Sequence, residues 1–135
     1  MTYVVDASMA LSWCFPDEAT PRTEALLDQL REAQGFVPQV WALEVTNVLL
    51  SRERSKRYSE AEVFGMLEIL ARLPLRVDIR TSGNIFTRIL QVARAQGLTT
   101  YDASYVELAL RVDLPLASND REMRDAAASL GIEVL

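Results

Sequence analysis

Four carboxylates stand where a fold could gather them. Asp6 follows the β-rich run Thr2-Tyr3-Val4-Val5, Glu44 lies in the apolar stretch after Pro38, Asp102 sits in Thr100-Tyr101-Asp102-Ala103, and Asp120 follows Leu116-Ala117-Ser118-Asn119. Carboxylates crowded into a partly desolvated site repel one another, and an unpaired buried charge costs on the order of several kcal/mol. A divalent cation removes both penalties. The chain has no histidine and a single cysteine, Cys14. The ligand set is therefore all oxygen, which selects hard ions, Mg²⁺ or Mn²⁺, over zinc. Such an ion polarises a phosphoryl oxygen and lowers the pKa of bound water, and a second ion about 4 Å away stabilises a leaving oxygen. Hydrolysis of a phosphodiester by in-line attack is the chemistry this set suits.

Each acid also has a structural explanation. Asp6, Asp102 and Asp120 stand at expected helix starts, where an Asp commonly caps exposed N–H groups. Glu44 falls three residues after Trp41 and four before Val48, on the apolar stripe of its helix. There the alternative is a half-buried Glu paired with an arginine.

The elements that must position these acids alternate between strand and helix. Residues 2–5 read as a strand, Asp6-Ala7-Ser8 as a turn, and the stretch through Trp13 as a helix. Asp17 to Thr20 is a polar linker, Thr20 a plausible N-cap with Pro21 at the first helical position, and Leu26, Leu27 and Leu30 form a helical stripe ending before Gly35. Phe36 to Pro38 makes a second strand. A helix over Val40–Arg54 follows, then one opened by the capping box Ser59 to Glu62 and stopped at Pro74. Leu75 to Ile79 is a third strand, Ile85 to Ala95 a helix ended by Gly97, and a further helix begins near Asp102 and runs to about Arg111. Leu114 to Ser118 returns to strand, Asp120 to Leu130 is the last helix, and Ile132 to Leu135 reads as a closing strand. This order predicts one domain over residues 1–135, an α/β/α sandwich around a mainly parallel sheet of four to five strands. In such sheets ligands bind beyond the carboxyl ends of the strands, where strand order reverses. A sheet wound outward from the first strand and then back makes the first and fourth strands neighbours, which would bring Asp6 and Asp120 together.

Composition bounds the alternatives. A chain of 135 residues, half of them hydrophobic, buries roughly two-thirds of the surface its unfolded form exposes. One cysteine allows no internal disulfide and suits a reducing compartment, so the cytoplasm is expected. The N-terminal residues lack a signal-peptide pattern and no apolar run could span a bilayer, so no membrane association is expected. Without imidazole, every His-dependent triad is excluded. The net charge of −5 argues against a generally basic nucleic-acid surface. Setting the four clustered acids aside leaves 15 acids against 14 bases, a balanced surface that phosphate can approach.

Taken in order, Val4-Val5-Asp6-Ala7-Ser8, Glu44-Val45-Thr46-Asn47-Val48-Leu49, Thr100-Tyr101-Asp102-Ala103 and Leu116-Ala117-Ser118-Asn119-Asp120 resemble the PIN-domain ribonucleases, most closely the VapC-type toxins of toxin–antitoxin pairs. The resemblance covers essentially the whole chain. It implies a metal-dependent endoribonuclease whose Mg²⁺ or Mn²⁺ is held by Asp6, Glu44, Asp102 and Asp120, with Ser8, Asn47 and Ser118 as hydrogen-bonding groups behind them. It further implies cleavage of RNA to 5′-phosphate and 3′-hydroxyl ends, homodimerisation, and inhibition by a cognate antitoxin protein. The family usually carries Thr where Ser118 stands and an apolar residue where Asn119 stands; the hydroxyl is kept.

Two other functions compete. A receiver-type signalling domain shares the alternating pattern and an acidic Mg²⁺ pocket. It wants a lysine near the end of a late strand, whereas the sole lysine, Lys56, lies mid-chain, and it leaves Glu44 and Asp102 without roles. A PIN-like module that binds or processes RNA outside a toxin–antitoxin pair is the second. The basic cluster Arg52, Arg54, Lys56 and Arg57 lies either within reach of an RNA backbone or at a helix end whose dipole it favours. Trp13, Phe15, Trp41 and Phe64 read as core or dimer interface, and Cys14 as packing.

Overall fold

A computed structural model describes residues 2–80 and 83–135. Four parallel strands, β1 (Val4–Val5), β2 (Gly35–Pro38), β3 (Leu75–Asp78) and β4 (Leu116–Ala117), form a sheet in the order β3-β2-β1-β4. The winding thus reverses between β1 and β4, and the carboxyl ends of these two neighbours open into one crevice. Val4 pairs with Leu116 and Val5 with Ala117, which sets Asp6 beside Ser118.

Among the described residues, seven helices cover the sheet: α1 (Ala7–Ser12), α2 (Pro21–Gln29), α3 (Val40–Arg54), α4 (Glu60–Arg72), α5 (Ile85–Gln96), α6 (Thr100–Val112) and α7 (Arg121–Ser129). The two faces of the sheet read directly from the period of β1. Tyr3 and Val5 pack into a core with α1 to α4, whereas Val4 packs on the opposite face with Tyr105, Leu108, Leu116 and Met123. The parallel α/β sandwich expected from the alternating pattern is therefore the fold observed.

Local chemistry explains where elements begin and end. Thr20 accepts from the Thr23 N–H with Pro21 next, and Ser59 and Glu62 cap each other reciprocally. Gly97 ends α5 in the left-handed region, φ 65°, a conformation that costs an L side chain and leaves α6 free to start at once. Gly35 serves packing: a Cβ there would stand 2.8 Å from Leu75 Cδ2 and 3.1 Å from Val5 Cγ2, so any larger residue would have to displace those side chains.

Several boundaries differ from expectation. The first, third and fourth strands are shorter than expected, the second begins one residue earlier, at Gly35, and the anticipated closing strand at 132–135 shrinks to one bridge, Leu116 with Val134. The linker before α2 contains a short 3-10 turn, Pro16–Glu18. Helix α6 is capped by Thr99, whose hydroxyl accepts from the Asp102 N–H at 3.1 Å. Asp102 is thus the third residue of the helix and not its cap, because the Thr99-x-x-Asp102 spacing lets the threonine take that role. Among the described residues no helix is long and apolar enough to cross a membrane.

Candidate active site

Asp6 is buried, with 2% of its surface exposed, and three donors of the protein reach its carboxylate. Its Oδ1 accepts from the Met9 N–H at 2.8 Å, capping α1, and Ser8 Oγ lies 2.8 Å from both oxygens. Ser118 Oγ donates to Oδ2 at 2.5 Å. The same two hydroxyls accept main-chain N–H groups from the end of β4: Ser8 Oγ from Asn119 at 2.9 Å and Ser118 Oγ from Asp120 at 3.0 Å. Two serines therefore stitch the carboxyl end of β1 to that of β4 through Asp6.

Asp120 caps α7 by accepting from the Met123 N–H at 2.9 Å, so for Asp6 and Asp120 the capping explanation is realised. It does not exhaust them. Asp6, Glu44, Asp102 and Asp120 all line one cavity of about 730 Å³, joined there by Ser8 and Asn47. Ser118 lies fully buried beneath Asp6, and Asn47 stands one helical turn from Glu44 on α3. Six of these seven residues thus line one cavity, and the seventh, Ser118, bonds to Asp6 beneath it.

Glu44 is half-buried, and its partner is not an arginine. Tyr105, buried on α6 three residues after Asp102, donates its hydroxyl to Glu44 Oε1 at 2.6 Å. Tyr105 was not singled out in the sequence. The readable signal is its helical spacing from Asp102, which puts both on one face of α6.

Burial, with neighbouring negative charge added to it, raises the carboxyls of Asp6, Glu44 and Asp102. Burial pushes the Asp6 carboxyl up to about 6, with the charge of Asp120 adding to the effect and the hydrogen bonds from Ser118, Met9 and Ser8 opposing it. Burial also raises Glu44, against the Tyr105 hydrogen bond, and the charge of Asp102 adds to it. Asp102 is raised by burial and then by Asp120 and Glu122. Among the described residues, none of the four is in a salt bridge with a basic side chain. Two members of the 52–57 cluster are spent elsewhere: Arg52 lies 3.6 Å from Glu18 and over the Phe15 ring at 4.2 Å, and Arg57 pairs with Asp17 at 3.1 Å. Half of the 52–57 basic cluster therefore braces the turn after α1. Of the aromatics, Phe15 is buried, Trp13 and Trp41 pack against the core, and Phe64 is exposed.

This is the arrangement a hard cation would relieve: hard oxygen donors, raised carboxylates and an unmet need for positive charge. Among the described residues, no three acidic, histidine or cysteine side chains stand close enough together to make a ready-formed coordination sphere. Mg²⁺ does not require one, because it keeps several waters and is bound through one or two carboxylates. The donor set fits such a hydrated ion.

Comparison with known proteins agrees with this architecture. Ribonuclease VapC3 of Pyrobaculum aerophilum is 28% identical over 130 residues, 96% of this chain and 98% of that protein. Among solved structures, PAE2754 from Pyrobaculum aerophilum matches with a TM-score of 0.73 at 23% identity, over 99% of this chain and 83% of that one. FitAcB from Neisseria gonorrhoeae matches with a TM-score of 0.66 at 15% identity, over 99% of this chain and 96% of that one. The profile of the PIN domain family matches residues 3–129, nearly the whole of the described fold and all four cavity acids, and the chain belongs to that family.

Proposed function

We propose that this protein is a metal-dependent endoribonuclease, the toxin of a toxin–antitoxin pair, with Asp6, Glu44, Asp102 and Asp120 holding Mg²⁺ or Mn²⁺. The observation that carries the reading is the gathering of four acids, from the end of β1, α3, α6 and the β4–α7 junction, around one open cavity, with the carboxyls of Asp6, Glu44 and Asp102 raised by burial. When bound, the ion supplies polarisation of the phosphoryl group and a water of lowered pKa. The chain's own residues supply position. Ser8 and Ser118 fix both oxygens of Asp6, and Tyr105 aims Glu44. Asp102, in the first turn of α6, and Asp120, at the cap of α7, line the same cavity.

The substrate is RNA, by kinship with Ribonuclease VapC3. The toxin–antitoxin setting rests on the VapC-type resemblance, which also supplies the cognate antitoxin and the homodimer as partners. Exposed Leu43, Phe86, Leu90 and Tyr101 border a groove beside the site, surface that protein partners would cover. A buried free thiol at Cys14 is compatible with action in the cytoplasm.

The test is cleavage of single-stranded RNA by the purified, antitoxin-free protein. Cleavage with Mg²⁺ or Mn²⁺ that stops in EDTA and returns on adding the ion back is the expected result. Equal cleavage in EDTA, or none with either ion, would overturn the reading.

Tyr105 makes a second expectation. Tyr105→Phe keeps the ring in its buried place and removes only the donor to Glu44. Loss of an outer hydrogen bond to a metal ligand costs about 10–100-fold in metal affinity or activity. Mn²⁺ titration followed by electron paramagnetic resonance should show a weakening in that range, with cleavage falling in parallel at subsaturating ion.

A further inference from the structure

Two cationic side chains line the cavity among the described residues, Arg22 and Arg52. Arg52 is committed to Glu18 and the Phe15 ring. Arg22 is not held by any Asp or Glu side chain. Its guanidinium donates to Asn119 Oδ1, to the Leu135 main-chain oxygen at 2.5 Å and, more distantly, to the Ser118 carbonyl at 3.5 Å.

A second guanidinium uses the same acceptors. Arg124 NH1 donates to the Ser118 carbonyl at 2.9 Å and to the Leu135 oxygen at 2.5 Å. Two positive charges thus share two main-chain oxygens, and the pair keeps a positive excess whatever charge the Leu135 oxygen carries. Burial and then the charge of Arg124 lower the Arg22 pKa, while Asp6 raises it. Arg22 also sits in the first turn of α2, where a cation opposes the helix dipole, so helix stability does not account for it. It stays exposed at the rim of the acid cavity, anchored by Asn119, the position at which the sequence departs from the family's usual apolar residue.

We infer that Arg22, backed by Arg124, is the anion-binding point of the site, holding a phosphate of the RNA backbone that flanks the bond to be cut. The inference rests on the nuclease reading and adds the residue that grips the substrate. A planar guanidinium with N–H groups in a fork matches a phosphate's oxygens. Asn119 and the Ser118 and Leu135 oxygens orient the guanidinium, and with Arg124 beside it the pair keeps its positive excess. The rim cation also offsets the repulsion a polyanion would meet from Asp6 and Asp120, and so favours approach with the scissile phosphate over the acids.

The experiment compares the parent with Arg22→Gln and Arg22→Lys. Affinity for a fluorescein-labelled single-stranded RNA is read by anisotropy across a salt series in the Asp102→Asn background, and kcat, KM and Mn²⁺ affinity in the active background. Arg22→Gln should weaken RNA binding about tenfold and make the slope of log affinity against log salt shallower by about 0.7. KM should rise, with kcat and Mn²⁺ affinity within about twofold of the parent. Arg22→Lys should keep the salt slope. A second measurement needs no protein variant: replacing one backbone phosphate at a time by a neutral methylphosphonate should cost the parent the same factor at a position next to the cleavage site. Unchanged affinity and slope in Arg22→Gln, or no sensitive phosphate in the RNA, would overturn the inference while leaving the nuclease reading intact. Absence of any metal-dependent cleavage by the parent would instead remove the nuclease reading on which it stands.

Discussion

Asp102→Asn should abolish metal-dependent RNA cleavage, by at least about 10³-fold, in a protein that stays folded. A ligand worth about 4 kcal/mol of transition-state stabilisation corresponds to that factor. The substitution keeps the shape of the side chain and removes only its charge. Its structural cost is close to nil, because the cap of α6 is Thr99 and the Asp102 N–H that completes it is untouched. The carboxylate itself is raised by burial and by Asp120 and Glu122, so neutralising it relieves repulsion. Cleavage of a fluorescent RNA, with circular dichroism and thermal unfolding as controls, checks this. A variant that cuts as fast as the parent would show that Asp102 serves the fold alone.

The sequence carries the frame of the site better than its details. The meeting of β1 and β4 was legible from the winding of an alternating α/β chain, and it brings Asp6 beside Ser118 through the pairing of Val5 with Ala117. Caps at Thr20 and Ser59 and the stop at Gly97 were legible because they are local, set by residues within one turn. The start of α6 was misread although it is equally local: Asp102 was given the capping role that Thr99, three residues earlier, performs. The contacts from Tyr105 to Glu44 and from Arg22 to Asn119 span 61 and 97 residues. No spacing rule reaches that far; such pairs are fixed by how helices dock on the sheet. Glu44 illustrates the limit. Its helical position predicted half-burial correctly, yet the alternative weighed for it was an arginine partner, whereas docking of α6 supplies a phenol. The closing strand failed for another reason. The segment Ile132-Glu133-Val134-Leu135 at the sheet edge satisfies burial with a single bridge to Leu116, and nothing in its pattern requires more.

The opposite balance of function and stability is expected at Asp6, where Asp6→Asn should inactivate the enzyme and yet stabilise its metal-free form near neutral pH. In the folded protein the Asp6 carboxyl titrates at about 6, raised first by burial, against 3.8 for the ordinary group. Between those values the native state keeps a proton that the unfolded chain has released. The stability Asp6 contributes is therefore fully present below about pH 4 and is lost as pH rises through about 6. A shift of about two units amounts to about 3 kcal/mol, set against about 1 kcal/mol for a hydrogen bond that the amide makes less well to Ser8 or Ser118. In EDTA at pH 7.5 the variant should accordingly exceed the parent by about 2 kcal/mol in urea unfolding, and the advantage should vanish toward pH 4. Added Mn²⁺ should raise the stability of the parent, since a ligand that binds only the folded state stabilises it, and should do so far less for the variant. If capping of α1 were all that Asp6 does, Asn would cap as well as Asp, and Mn²⁺ would change the stability of the two proteins alike.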